Sequence, residues 1–276
     1  LAAVSWARRL YKRQKSVFLQ HGVTALKRVD SIYGKGNRSA CDLFIVTNTM
    51  EEKIILDNFG YEPAEIANTG FARWDVLKDR SDLSHPSILV MPTWRSWLED
   101  QSDETFRQSS YYREYAALLN DPKLREFLHQ THTELIFYIH PKLREYISAF
   151  HADDPLIRLI PFGSVPLNQL IMKCSMLITD YSSVSWDVYY LGKPILFYQF
   201  DLDKYNETNG SYIDMEKDLF GERCLTREEL LTKIHEYYEN GFKEKTAYAE
   251  MRKKYLAYHD HNNRRRTYEF IKDQGY

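Results

Sequence analysis

Short apolar runs recur along the chain, each closed by glycine, proline or a cluster of small polar residues. Most are followed by a stretch with helical spacing. Val17 to Gln20, Leu43 to Thr47 and Ile66 to Thr69 read as strands, and Glu51 to Asn58 as a helix that Gly60 ends. From Leu77 to Pro86 the chain turns polar, which predicts a linker. A second series follows, with strands at Ile88–Met91, Leu135–Ile139, Ile157–Ile160, Met176–Thr179 and Ile195–Tyr198. Helices are predicted between them at Tyr111–Leu119, Pro122–Gln130, Leu143–Phe150, Pro166–Lys173 and Val184–Leu191. Beyond Leu225 the pattern is helical and charged, opened by a capping-box spacing at Thr226 and Glu229.

Apolar strands alternating with helices predict an α/β fold with parallel sheets. Residues 1–80 read as a partial first domain, 81–225 as a nearly complete doubly wound domain, and 226–276 as helices that pack back on the first. The first part has three strands, against about five or six in a full domain of this type. Since the chain also begins with Leu1, part of that domain is expected to lie upstream.

Ligands of open α/β sheets sit beyond the carboxyl ends of strands. The polar residues that stand out fall there. Gln20-His21-Gly22, Pro92-Thr93-Trp94-Arg95, Ile139-His140-Pro141 and Thr179-Asp180-Tyr181-Ser182-Ser183 each close an apolar run. The last sits between a strand and a helix, where free N–H groups and two hydroxyls point at an anion; the serines also suit plain helix capping. Imidazole titrates near neutrality, so His21 and His140 suit a general base or a phosphate clamp. Arg95 suits bidentate phosphate binding, or a surface position at a helix start. Asp180 would repel a phosphate, so it is expected to orient the turn or a ribose hydroxyl.

Composition narrows the partners. The 276 residues carry a net charge of −2, which gives no global field for nucleic acid. Basic residues gather at both ends, at Arg8 to Lys15 near Trp6 and at Arg264-Arg265-Arg266; the first cluster suits anionic lipid or a solvated helix face. The 21 Tyr, 14 Phe and 5 Trp suit a packed core or carbohydrate contact. Three dispersed cysteines, Cys41, Cys174 and Cys224, show neither zinc-site nor disulfide spacing and fit a reducing cytoplasm. No apolar run approaches the ~20 residues of a membrane span. No acidic cluster has metal-ligand spacing, so no protein-held metal and no tightly bound cofactor is expected, with Mg²⁺ admitted only on a substrate pyrophosphate.

Taken in order, His21-Gly22 with Thr24-x-x-Lys27, Gly70-x-x-Arg73-x-Asp75, Pro92-Thr93-Trp94-Arg95, His140-Pro141, Thr179-Asp180-Tyr181-Ser182-Ser183, Gly192-Lys193-Pro194 and Tyr198-x-x-Asp201-Leu202-Asp203-x-Tyr205 form a pattern. The chain resembles the CDP-glycerol:poly(glycerophosphate) glycerophosphotransferases, the teichoic acid polymerases and primases, from about residue 17 to 265. The resemblance implies a GT-B fold of two Rossmann-like domains facing a cleft. It implies His21 as general base, His140 on the transferred phosphate, Ser182 and Ser183 on the pyrophosphate, and Thr93, Arg95 and Asp180 lining the donor site. Gly22, Lys27, Arg73, Asp201 and Arg264 become candidates for acceptor or secondary contacts.

It further implies a CDP-glycerol or CDP-ribitol donor and a lipid-linked saccharide or polyol phosphate acceptor. The enzyme would sit peripherally on the inner face of a bacterial membrane. The chain departs from the family at Gln20, where Trp is common, at Thr208 to Tyr212, and at Asp260 to Arg266, where the matching arginine is ambiguous. Two other readings share these features: a GT-B glycosyltransferase using a nucleotide sugar, and a nucleotide-binding module without chemistry.

Overall fold

The computed structural model describes residues 15–275. They divide into two compact units, one from Val29–Asp75, Tyr255–Tyr276 and the segment ending at Val23, the other from Thr24–Arg28 and Val76–Lys254. Thus α9 (Arg227–Glu239) and most of α10 (Thr246–Tyr255) belong with the second unit, while α11 (Asn263–Asp273) belongs with the first. The basic run from Arg8 lies outside the described residues, apart from Lys15.

The first unit holds a parallel three-stranded sheet in the order β1 (Val17–Phe18), β2 (Leu43–Val46), β3 (Ile66–Asn68). Leu43, Ile45 and Ala67 form its core, and Phe270 and Ile271 of α11 pack against them. The short helix α1 (Asp30–Tyr33) precedes β2, and α2 (Thr49–Phe59) follows it. The Asn48 carboxamide caps the α2 amino end, and Gly60, left-handed at φ 74, ends it. The strand expected to reach Gln20 stops at Phe18, because Gln20 is itself left-handed, at φ 51.

The second unit is a six-stranded parallel sheet. Its strands are β4 (Ser87–Val90), β5 (Glu134–Tyr138), β6 (Ile157–Ile160), β7 (Met176–Thr179), β8 (Ile195–Tyr198) and β9 (Glu222–Cys224), in the spatial order β6-β5-β4-β7-β8-β9. Counted within the unit this is the order 3-2-1-4-5-6 of a dinucleotide-binding fold. β4, β7 and β8 are buried at every position, which is why they read as unbroken apolar runs rather than alternating ones.

Helices α3 (Asp103–Gln108), α4 (Ser110–Leu119) and α5 (Pro122–Thr131) lie between β4 and β5 in the chain. Further along come α6 (Leu167–Lys173), α7 (Ser185–Tyr190) and α8 (Leu202–Thr208). Tyr115, Leu118, Leu124 and Phe127 of α4 and α5 share one core with Leu230, Ile234 and Tyr237 of α9 and with Ile88, Val90, Phe137 and Ile178 of the strands.

Further sequence expectations change. The segment after His140 is a 3₁₀ helix, Pro141–Ala149, with Leu143 off helical geometry. Its buried residues Leu143, Tyr146 and Ala149 recur every third position, the period of a 3₁₀ helix. β9, with two half-buried polar residues in three, carries no apolar run and was not foreseen. The lysine of Gly192-Lys193-Pro194 is structural. Its buried ammonium donates to the carbonyls of Ile171, Met172 and Cys174 at the end of α6 and pairs with Asp79 of the linker at 2.9 Å.

Candidate active site

In the second unit the strand order reverses between β4 and β7, and the crevice beyond their carboxyl ends is where such sheets bind ligands. Thr93 and Trp94 follow β4, His140 follows the neighbouring β5, and Asp180 to Ser183 follow β7. Five of the site candidates singled out from the sequence, Thr93, His140, Asp180, Ser182 and Ser183, are thereby held at adjacent strand ends.

Their roles divide sharply. Arg95 is not a phosphate clamp and not a surface arginine; it is fully buried. Its guanidinium donates to both oxygens of Asp201 at 2.8 and 3.0 Å, to the Thr93 carbonyl at 2.7 Å, and pairs with Asp180 at 2.9 Å. Four of its five N–H groups are so taken, and full burial shuts the guanidinium away from a substrate. Asp180, also fully buried, accepts from the N–H groups of Thr93 (2.8 Å) and Tyr181 (2.6 Å) and from the Tyr115 hydroxyl (3.2 Å). Asp201 accepts from the Tyr181 hydroxyl at 3.1 Å. Both carboxylates are committed to partners within the protein. Their assignment to donor or acceptor contacts is corrected: with Arg95 they tie together the loops after β4, β7 and β8. Burial opposes the arginine's charge, but Asp180 and Asp201 outweigh it and hold the group ionised.

What remains accessible is a smaller set. Ser182 and Ser183 are half-buried. The Ser182 hydroxyl accepts from the Val184 N–H at 3.3 Å, while the Ser183 hydroxyl makes no hydrogen bond among the described residues. The Thr93 hydroxyl is buried without a partner, although its own N–H is held by Asp180. A buried unpaired hydroxyl is costly, which marks Thr93 as a candidate ligand contact.

Around His140 the second unit gathers positive charge on an aromatic plate. Trp94 lies 6.2 Å from the imidazole, ring to ring, and carries the ammonium groups of Lys27 at 4.5 Å and Lys142 at 5.4 Å over its ring. Lys142 pairs with Glu99. Burial, then Lys27 and Lys142, push the His140 pKa down to about 4, with Glu99 opposing. The ring is therefore neutral near pH 7. Its Nδ1 accepts the Lys142 N–H at 3.2 Å, so the proton sits on Nε2 and that edge is a hydrogen-bond donor. Burial also lowers the Lys27 pKa, with Arg95 next in size.

The depressed His140 pKa has a sign that can be checked. Between pH 6.5 and 4 an unfolded His140 takes up a proton that the folded ring refuses, so stability falls as pH drops through that window and levels below it. Urea titrations at pH 7 and pH 4.5 should show a larger loss for the wild type than for His140→Gln. Equal losses would mean that the ring titrates normally.

In the first unit His21 follows β1 and reaches solvent, and Gly22 beside it is buried. Arg73 donates to the His21 carbonyl at 3.1 Å, and the Tyr33 ring lies 6.3 Å from the imidazole. Partial burial and then the Arg73 charge lower the His21 pKa below 6.5, which favours the unprotonated form a base requires. Arg264 is engaged locally. The Asp75 carboxylate accepts from the N–H groups of Asn263 and Arg264 at 2.9 and 2.8 Å and from the Arg264 Nε at 3.4 Å, at the start of α11. Gly70, at φ 76, has no room for a Cβ, which would stand 2.1 Å from the Asn263 carboxamide oxygen. Asp75 and Gly70 thus secure α11 rather than bind substrate.

Lys142 and Glu99 escaped the sequence reading, and Trp94, though singled out there, was not read as a platform for ammonium groups. A lysine two residues past a histidine has no periodic signature, and only the fold brings Lys27 to the same ring. Among the described residues no group of three or more His, Cys, Asp or Glu side chains is placed to hold a metal ion. No described helix is long and apolar enough to cross a membrane. A groove of about 1050 Å³ is lined by Glu114, Asp121, Phe200 and Arg227, shares no residue with the site, and has its arginine already paired with Asp121 at 3.0 Å.

Comparison with known proteins adds the family, two curated relatives and a solved structure. Residues 4–273 match the family described as CDP-Glycerol:Poly(glycerophosphate) glycerophosphotransferase. The minor teichoic acid biosynthesis protein GgaB of Bacillus subtilis is 29% identical over 264 residues, covering 92% of this chain and 29% of that protein. A teichoic acid glycerol-phosphate transferase of Staphylococcus aureus is 26% identical over 249 residues, covering 77% of this chain and 60% of that protein. The chain thus spans less than two thirds of these curated relatives. In fold it is similar to the wall teichoic acid polymerase TagF, with a TM-score of 0.66, 17% identity, and coverage of 96% of this chain and 70% of that one. That likeness supports a GT-B-type fold.

Proposed function

The chain belongs to the CDP-glycerol:poly(glycerophosphate) glycerophosphotransferase family, and we propose that it moves a polyol phosphate from a CDP-activated donor to an acceptor hydroxyl, releasing CMP. The observation that carries this reading is the set of donors at the ends of β4, β5 and β7: neutral His140 with a proton on Nε2, the ammonium groups of Lys27 and Lys142, and the hydroxyls of Thr93 and Ser183. A diphosphate needs fixed donors and positive charge around it, and phosphoryl transfer is catalysed mainly by such placement.

In the proposed step the acceptor oxygen attacks the phosphorus that carries the polyol. One P–O bond forms, the anhydride bond to CMP breaks, and CMP leaves with the bridging oxygen. His21 takes the hydroxyl proton, and its lowered pKa keeps it unprotonated near neutrality. His140 and the lysines offset charge on the phosphates, with Mg²⁺, where present, carried by the donor's pyrophosphate. The acceptor in this reading is a lipid-linked saccharide or polyol phosphate at the inner face of the membrane.

A donor panel tests the reading. CDP-glycerol, CDP-ribitol, UDP-sugars and GDP-sugars are each incubated with a lipid-linked disaccharide, and products are weighed by mass spectrometry. CMP release with a polyol phosphate added to the acceptor is expected for a CDP-polyol. Turnover of UDP- or GDP-sugars alone would replace the reading with a glycosyltransferase, and donor binding without turnover would replace it with a binding module.

A further inference from the structure

We propose that Gln20 and Glu51 are positioning residues for His21: the buried Glu51 carboxylate holds the Gln20 carboxamide, and with it the left-handed bend from which the imidazole projects. This rests on His21 acting as the base, as proposed above.

Gln20 takes φ 51, a conformation that L side chains other than Asn and Asp rarely adopt and that costs free energy unless the surroundings hold it. The surroundings here are specific. The Gln20 Nε2 donates to Glu51 Oε1 at 2.9 Å and reaches the Ile45 carbonyl at 3.4 Å. Glu51 is fully buried, and its other oxygen accepts from the Thr47 N–H at 2.8 Å and the Thr47 hydroxyl at 2.9 Å. An acidic residue in the first turn of α2 suits the helix dipole, but an exposed one serves that purpose equally. Full burial with an oxygen committed to residue 20 is beyond what the dipole requires.

The anchor itself is braced. The Glu51 N–H donates to the Asn48 Oδ1 at 2.8 Å, and the Asn48 carboxamide donates to the Tyr255 carbonyl at 2.7 Å. The carboxylate therefore has little freedom to follow a drifting Gln20. On the far side of the bend, Arg73 holds the His21 carbonyl at 3.1 Å. The backbone is thus gripped on both sides of the histidine while the ring reaches solvent, the arrangement a base needs to meet a variable acceptor from a fixed origin.

Gln20→Gly keeps the left-handed backbone and deletes the carboxamide. Glu51→Gln keeps the shape and places an NH₂ where an acceptor is needed. Both are assayed for CMP release from CDP-glycerol, alone and combined with His21→Ala, with thermal unfolding as a check on the fold. Each single variant is expected to lower kcat about 10- to 100-fold with KM for CDP-glycerol unchanged within about twofold, and neither should add to the loss in His21→Ala. Wild-type kcat in Gln20→Gly beside an inactive His21→Ala would sink the positioning role and leave the base assignment standing. An equal further loss in the His21→Ala background would make the pair structural and also overturn the proposal. A His21→Ala variant within tenfold of wild type would remove the base assignment and the positioning role with it.

Discussion

His21→Ala is expected to cut CMP release from CDP-glycerol by about 10²- to 10⁴-fold while the melting transition stays in place, because removing a general base costs that much and the ring reaches solvent. The pH profile sharpens the expectation. Partial burial and the Arg73 charge put the His21 pKa below 6.5, so the acidic limb of the rate profile should have its midpoint under that value. Arg73→Gln removes the nearby positive charge and should move the midpoint upward. An acidic limb that Arg73→Gln does not move, or residual His21→Ala activity within a few-fold of wild type, would take His21 out of the mechanism.

The second large effect falls on stability. Arg95 is fully enclosed between Asp180 and Asp201, with aromatic rings of Tyr181 and Tyr111 at 4.9 and 5.2 Å from its guanidinium carbon. Removing one member of a buried ion cluster leaves the others charged and undercompensated, at a cost of about 3–5 kcal/mol. Arg95→Met should lower the unfolding free energy from urea titration by that amount, and the midpoint with it, since two carboxylates are then buried together. Asp201→Asn keeps the shape and an acceptor and should cost less. The loops carrying Thr93 and Ser182 lose their tether in Arg95→Met, so donor affinity should fall with stability. An Arg95→Met protein with unchanged midpoint and lost activity would restore the arginine as a direct phosphate ligand.

Several features were legible in the chain alone. Apolar runs such as Leu177-Ile178 and Leu196-Phe197 are long enough to be strands, too short for helices, and apolar on both faces, which happens only in a covered parallel sheet. Gly60 and the Thr226–Glu229 spacing stated where helices end and begin, because caps act within a turn. Local chemistry of this kind needs no knowledge of the remainder of the molecule. The clustering of Thr93, His140 and Asp180 to Ser183 at neighbouring strand ends followed too, since residues that close parallel strands of one sheet emerge on the same side of it.

Tertiary structure alone decided which of those polar residues stay accessible and which are consumed by one another. Arg95 and Asp201 lie 106 positions apart, and nothing near either discloses that each is the other's partner. Lys27 reaches Trp94 only because residues Thr24–Arg28 belong to the second unit although they sit in sequence beside the first. Strand order and burial set the answer: a charge sealed in a low-dielectric interior must find its counter-charge there, whereas the same side chain left at the rim stays available to substrate.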